Sequence, residues 1–229
     1  AVHVYETKPI TGLAFSQNTL SIKSGTTATL TATYTVPEGA SPIFKVSSSS
    51  DYGKNYRANA SFTQNGSGSE TITVYGVLPG TAIITLTDSV SLLSTQCTVT
   101  VSIDDSSATE ISSSSIGNAA STTQSDWTQV ALTSAGQASV YKISLEANKT
   151  YTFEIADSGC NKSMVNGTNV DAMFSLYDSS STVISQLDGS SSDDKITVTP
   201  QSNASYYFIV SPYDAGSTGA AAFHVYVSE

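Results

Sequence analysis

The stretch QLDGSSSDDK, residues 186–195, sets Asp188, Asp193 and Asp194 around one glycine and three serines. Calcium takes several oxygens from carboxylates, carbonyls and amides in flexible geometry, so such a loop is a candidate site for it. Asp171 precedes one apolar run and Asp178 follows it, which completes a candidate metal set of Asp171, Asp178, Asp188, Asp193 and Asp194. The spacing is not that of an EF-hand, because serines follow Asp188-Gly189 and no glutamate closes a twelve-residue loop. The competing reading is a polar hairpin tip, since Asp-Gly is itself a turn signal and Asp, Asn and Ser cap their own backbone. The two readings part on one distance: calcium at this tip needs the ends of the 171–178 strand within coordination reach of it.

Other chemistry has less to work with. A serine nucleophile needs a base, and the chain holds two histidines, His3 and His224. His3 falls in an N-terminal AVHVYE segment outside the patterned region, and His224 alternates with Phe223 and Val225, which places it on the solvent face of a strand. No G-x-S-x-G elbow accompanies either one. Zinc needs clustered Cys and His, and two of each lie scattered along the chain. No phosphate-cradling glycine loop enters a helix. The expectation is a protein that is not an enzyme, with calcium as its candidate cofactor.

Binding residues are easier to find. Tyr52, Lys54, Tyr56 and Arg57 sit in one polar-aromatic stretch, and such loops on a rigid scaffold are where binding proteins often meet partners. In SYYFIVSPY, residues 205–213, Tyr206, Phe208 and Val210 share the inward phase, which leaves Tyr207 and Ile209 on the other face. An outward tyrosine brings contact area at small entropic cost. The candidate ligand-binding residues are therefore Tyr52, Tyr56, Arg57 and Tyr207, with an extracellular protein or a glycan as partner. The alternative for Tyr207 is packing on a sheet surface or between domains.

The elements that must hold these residues are strands. In 229 residues the hydrophobic share is 39% and the charged share 12%, about half the usual one, while Ser and Thr fill much of the rest. No stretch has sustained helical period. Residues 10–103 instead form short alternating runs, among them TATLTATYTV, ETITVYGV, TAIITLTD and CTVTVSI, punctuated by Gly25, Pro37, Gly39, Pro79 and Gly80. Residues 103–125 hold little apolar content and read as a solvated Ser-rich linker. From Trp127 the alternation resumes through KTYTFEIA, DAMFSLYD, SYYFIVSP and AAFHVYVS. Two antiparallel β-sandwich domains, 1–103 and 126–229, joined by a 104–125 linker, are the expected all-β architecture.

The formal net charge of −10 argues against sequence-independent binding to nucleic acid or anionic lipid, because no basic field exists to release counterions. No apolar run reaches the length of a membrane span, and no secretory leader stands at the N-terminus; the expected form is a soluble protein or the mature part of an exported one. Cys97 has the core phase of its strand and Cys160 falls in a loop of the other domain, so the two are expected unpaired.

Two resemblances follow from these runs. LAFSQNTLSIKSGTTATLTATYTVPEGA (13–40), FKVSSSS (44–50), GVLPGTAIITLT (76–87) and CTVTVS (97–102) resemble the bacterial immunoglobulin-like group 2 domain. Val46 stands where that family often has tryptophan, and DYGKNYRANASFTQNGSGSE (51–70) is longer than a simple hairpin needs. SVYKISLEANKTYTFEI (139–155), DAMFSLYDSSSTVIS (171–185), DDKITVTP (193–200), SYYFIVSPYD (205–214) and TGAAAFHVYV (218–227) resemble the bacterial pre-peptidase C-terminal domain, a jelly-roll-like sandwich. Met173 stands where that family often has a second acid, which weakens a metal site carried over by analogy. The resemblances imply an immunoglobulin-like sandwich followed by a jelly-roll-like one in an exported, secreted or cell-surface bacterial protein. The implied role is adhesion or binding of protein or carbohydrate, with a passive spacer or accessory part of a secreted enzyme complex as the alternative.

Overall fold

The computed structural model describes residues 8–50, 52–134, 136–190 and 194–228. It is all-β: seventeen strands and four single-turn 3-10 segments, with no α-helix among the described residues.

The first sandwich holds β1 (Thr11–Phe15), β2 (Thr19–Lys23), β3 (Thr27–Thr35), β4 (Phe44–Ser48), β5 (Ala58–Phe62), β6 (Ser69–Gly76), β7 (Gly80–Asp88) and β8 (Ser94–Ser102). They form two sheets, β1-β3-β6-β5 and β2-β8-β7-β4. Threonine and alanine alternate along β3 because one face is wet: Leu30, Ala32 and Tyr34 are buried while Thr27, Thr29, Thr33 and Thr35 are exposed. Ile72, Val74, Ile84, Leu86, Cys97 and Val99 close the core from the facing strands. The pairing is antiparallel except between β2 and β8, which run parallel. The 51–70 stretch is not a free loop. It contains β5, which uses its surplus length to add an edge strand to β6.

The second sandwich holds β9 (Thr109–Ile111), β10 (Thr128–Leu132), β11 (Ser139–Leu145), β12 (Thr150–Ala156), β13 (Ala172–Tyr177), β14 (Val183–Leu187), β15 (Lys195–Val198), β16 (Ala204–Pro212) and β17 (Gly219–Ser228). Its sheets are β14-β13-β16-β11-β9 and β10-β17-β12-β15. Phe208 lies at the centre of the core, with ring centroids 4.9 Å from Phe153, 6.2 Å from Phe174 and 4.8 Å from Phe223. Aromatic rings at these separations interlock and add to the area they bury.

Residues 104–125 depart from the solvated linker expected of them. Thr109, Glu110 and Ile111 pair in parallel with Tyr141, Lys142 and Ile143, so β9 is the fifth strand of a sheet. Further on, Gly117 donates to the carbonyl of Val225 at 2.8 Å and accepts from Val227 at 2.9 Å. Composition hid this because a strand's hydrogen bonds come from the backbone, whatever its side chains. Ile111 and Ile116 supply the few apolar anchors the segment has, both packed against the second core.

His224 is fastened by the same segment. Its phase points it away from the core as expected, yet it is buried at 4% exposure, because the 112–127 strap crosses over it. Nδ1 lies 3.0 Å from the Asp126 carbonyl and Nε2 3.1 Å from the Ala119 carbonyl. Trp127 and Tyr226 flank the ring, and a Cβ on Gly117 would come within 3.0 Å of it. Both ring nitrogens therefore face acceptors, which a ring carrying a single proton can satisfy only one at a time. His224→Phe puts an apolar aromatic ring in place of the imidazole and removes both nitrogens. It should lower stability by about 1–3 kcal/mol and speed amide exchange across residues 113–126 while β12 and β16 stay protected. Unchanged exchange in the strap would mean that something other than His224 holds it.

Candidate functional site

Of the five aspartates expected to bind metal, the structure separates one pair and leaves one outside view. β13 is six residues long, so Asp171 and Asp178 stand at its two ends, roughly 20 Å apart by strand rise. The β13–β14 register, with Phe174 opposite Leu187, carries the 186–190 segment to the Asp171 end. Asp178 instead closes its own turn, accepting from Ser180 N at 2.9 Å, Ser180 Oγ at 2.7 Å and Thr182 N at 2.9 Å. Burial pushes its carboxyl up, but these bonds prevail and hold it below the usual carboxylate range. Asp194 is turned inward on its loop, accepting from Ser190 N at 2.7 Å. Asp171 is lifted above the usual range by desolvation first and then by the negative charges of Asp188 and Asp214. Asp193 lies outside the described residues. Among the described residues no three His, Cys, Asp or Glu side chains are grouped to hold a metal ion.

A carboxylate in the interior does the fastening in this region. Asp157, at 0% exposure, accepts from Gly159 N at 2.7 Å, Cys160 N at 3.0 Å and Ala172 N at 3.3 Å. Gly189 lies directly on it: a Cβ there would sit 2.5 Å from Asp157 Oδ2, and one on Gly159 would sit 1.9 Å from the Gly189 carbonyl. The Asp188-Gly189 turn thus has its glycine both for a left-handed φ of 55° and for close approach to a buried acid. Cys160 is buried beside it and unpaired, its thiol pushed up to about 12 by burial first and by Asp157 next.

Burial raises the Asp157 carboxyl above its usual range, and the three backbone donors only partly pull it back. A group whose folded pKa is raised makes the fold more stable when protonated, so its contribution declines as pH climbs from about 4, the unfolded value, through the folded one. Asp157→Ala orphans three N–H groups and should cost about 3 kcal/mol or more. In urea unfolding at a series of pH values, the gap between wild type and variant should be widest near pH 4 and narrow as pH rises. A gap that widens with pH would reverse the assignment.

The four residues expected to bind a ligand all come to the junction between the sandwiches. Tyr56 is at 0% exposure in a cluster with Val77 and Leu78 of the first sandwich and Val140, Met173, Tyr177, Tyr207 and Ile209 of the second. Tyr207 is also buried, at 7%, and its hydroxyl donates to Asp105 Oδ1 at 2.6 Å. Lys142, its cross-strand neighbour, reaches the same oxygen at 2.7 Å. Burial first and the Asp105 carboxylate next push the Tyr207 phenol up to about 12. The Arg57 stem lies against Gly80, where a Cβ would come within 2.9 Å, and its charge acts on the Tyr177 phenol. The solvent-facing role of Tyr56 is thus corrected, and Tyr207 takes the alternative of packing between domains: each sandwich covers the face the other presents.

Backbone contacts reinforce the seam. Tyr52 bridges to Asp214, Gly53 N donates to the Tyr213 carbonyl at 2.6 Å, and a Cβ on Gly25 would strike the Ala138 carbonyl at 2.7 Å. Tyr52 alone of the four stays open, at 62% exposure. Ile209 joins Tyr207 in the packing between domains that was the alternative for that face, while Met173 and Tyr177 were missed as junction residues, although one signal was present. AMFSLY, residues 172–177, is apolar on both phases, and every residue of that strand is buried.

No family model matches the chain, and neither does any curated protein. Among solved structures it is similar to domains 4 and 5 of the S-layer protein SbsC, at 24% identity over 42% of this chain and 53% of that one, TM-score 0.34. It is also similar to SbsC domains 5–6, at 15% identity over 91% and 86%, TM-score 0.34. The pre-peptidase C-terminal domain of a collagenase from Bacillus anthracis matches at 14% identity over 52% of this chain and 93% of that one, TM-score 0.35. The chain spans about half the length of the first of these. The two family resemblances therefore rest on the residues quoted for them.

Proposed function

We propose that this chain is a rigid, non-catalytic two-domain module of an exported bacterial protein, one that fixes the spacing and direction of what it joins. The observation that carries this reading is the apolar seam: nine buried residues, from Tyr56 to Ile209, drawn from both sandwiches into one cluster. Domains in one chain move relative to each other by default unless their interface is large and hydrophobic, and this one is hydrophobic at its centre. The setting outside the cell is supported by the resemblances and by the acidic, hydroxyl-rich composition. Among the described residues no helix is long and apolar enough to cross a membrane. The non-catalytic part is supported by His224, which holds its nitrogens against backbone carbonyls rather than against a nucleophile.

Ile209→Asp places a charge in the seam without touching either sandwich core. The variant should unfold in two separated thermal steps and show a larger radius of gyration by small-angle X-ray scattering, whereas wild type unfolds in one step. A wild type that already scatters as two independently moving bodies would remove the rigid-module reading. So would turnover of any substrate in a broad peptide and glycoside panel by the purified protein.

A further inference from the structure

The seam borders an open groove of about 600 Å³, within the usual range for small-ligand sites. Lys45 and Ser47 of β4, Asn59 of β5, Tyr52, and Tyr213 and Asp214 of the second sandwich line it. We infer that this groove binds a short glycan, with Tyr52 and Tyr213 as its stacking surface.

The two tyrosines are positioned before any ligand arrives. Their ring centroids lie 6.5 Å apart with planes inclined by 33°. Gly53, in the left-handed region at φ 57°, makes the turn that brings the backbone up to the Tyr213 ring. The Tyr52–Asp214 bridge and the Gly53 N bond to the Tyr213 carbonyl then hold both rings to one short ladder across the junction. An exposed tyrosine on fixed backbone offers an apolar face at little entropic cost. The apolar C–H face of a pyranose is a natural match.

The polar groups of the groove suit hydroxyls. Among the described residues Lys45 makes no ion pair, the Asn59 side chain makes no hydrogen bond, and the Tyr52 hydroxyl has no partner. Lys45 can only donate, the Asn59 amide both donates and accepts, and the Asp214 carboxylate accepts. Asp214 Oδ1 already accepts from Gly216 N at 2.8 Å and Ser217 Oγ at 3.1 Å, which fixes the carboxylate in place. Donors and acceptors together beside an aromatic face suit a polyhydroxylated ligand.

Other ligand classes fit worse. An extended peptide would add to the free edge of β4, but Phe44 N there is already taken by Gln64 Oε1 at 2.9 Å. A nucleic acid meets a chain of net charge −10 with a single lysine in the groove.

The full chain should be screened on an array of plant, fungal, bacterial and animal glycans. The strongest hits are then titrated as free oligosaccharides by calorimetry. Tyr52→Ala and Tyr213→Ala should each weaken binding about tenfold or more, as expected on losing a stacking contact. Asn59→Ala should weaken it less, and Leu92→Ala, at an exposed turn away from the groove, should leave it unchanged. Near-ultraviolet circular dichroism and melting curves of each variant show whether the fold survives; because Tyr52 is exposed, Tyr52→Ala should keep the wild-type melting temperature. Absence of glycan binding by the wild type overturns the inference. Binding that survives Tyr52→Ala also overturns it, as does capture of extended peptides in place of glycans through the same residues.

Discussion

Tyr56, Met173, Tyr207 and Ile209 give up water to one another across the boundary between the sandwiches, and the remaining features follow from where that happens. Each large side chain fully buried contributes about 1.5–3 kcal/mol relative to exposure. A handful of them outweighs the entropy of fixing two domains that the chain already tethers. The seam is not apolar throughout. Asp105 joins Lys142 and Tyr207 at its margin, where Asp105 is exposed and the ion pair is screened by solvent. Orientation comes from that polar margin and from the backbone contacts at Gly25 and Gly53, while affinity comes from the apolar centre.

The strap shows the same division of labour. Residues 112–127 have too little apolar surface to fold by themselves, so their position depends on what the second sandwich presents to them. It presents the backbone of β17 and the imidazole of His224, while the edge of β11 fixes residues 109–111 just before the strap. A polar segment can be fixed when its partners are mostly backbone groups and one ring with two nitrogens. Ser112 adds a local contribution by capping the 113–115 turn through its side-chain oxygen.

The strands were legible in the sequence because half-buried sheets alternate with period two, and the alternating positions of β3, β11, β12 and β17 point where the pattern puts them. The outer faces were not legible to the same degree. Tyr207, Ile209 and Met173 obey the alternation as residues turned away from their own core, and the sequence does not name the second surface that meets them. His224 repeats the case, outward by phase and buried by strap residues Asp126 and Ala119, which lie 98 and 105 positions from it in sequence. The acids were not legible for another reason. Aspartate serves metals, turns and buried N–H groups alike, and only three-dimensional proximity tells Asp178 in its turn from Asp157 beneath Gly189.

Tyr52 differs from Tyr56 by four positions in one loop, yet only one of the two remains available to a ligand. The loop crosses the junction at an angle set by the 3-10 turn Gly53–Asn55, which sends Tyr56 into the seam and leaves Tyr52 at its mouth. The same turn brings Gly53 against the Tyr213 ring, so a groove shared by both domains exists only while they are docked. Rigidity and recognition are therefore coupled here: loss of the apolar seam would separate Tyr52 from Tyr213 without altering either residue.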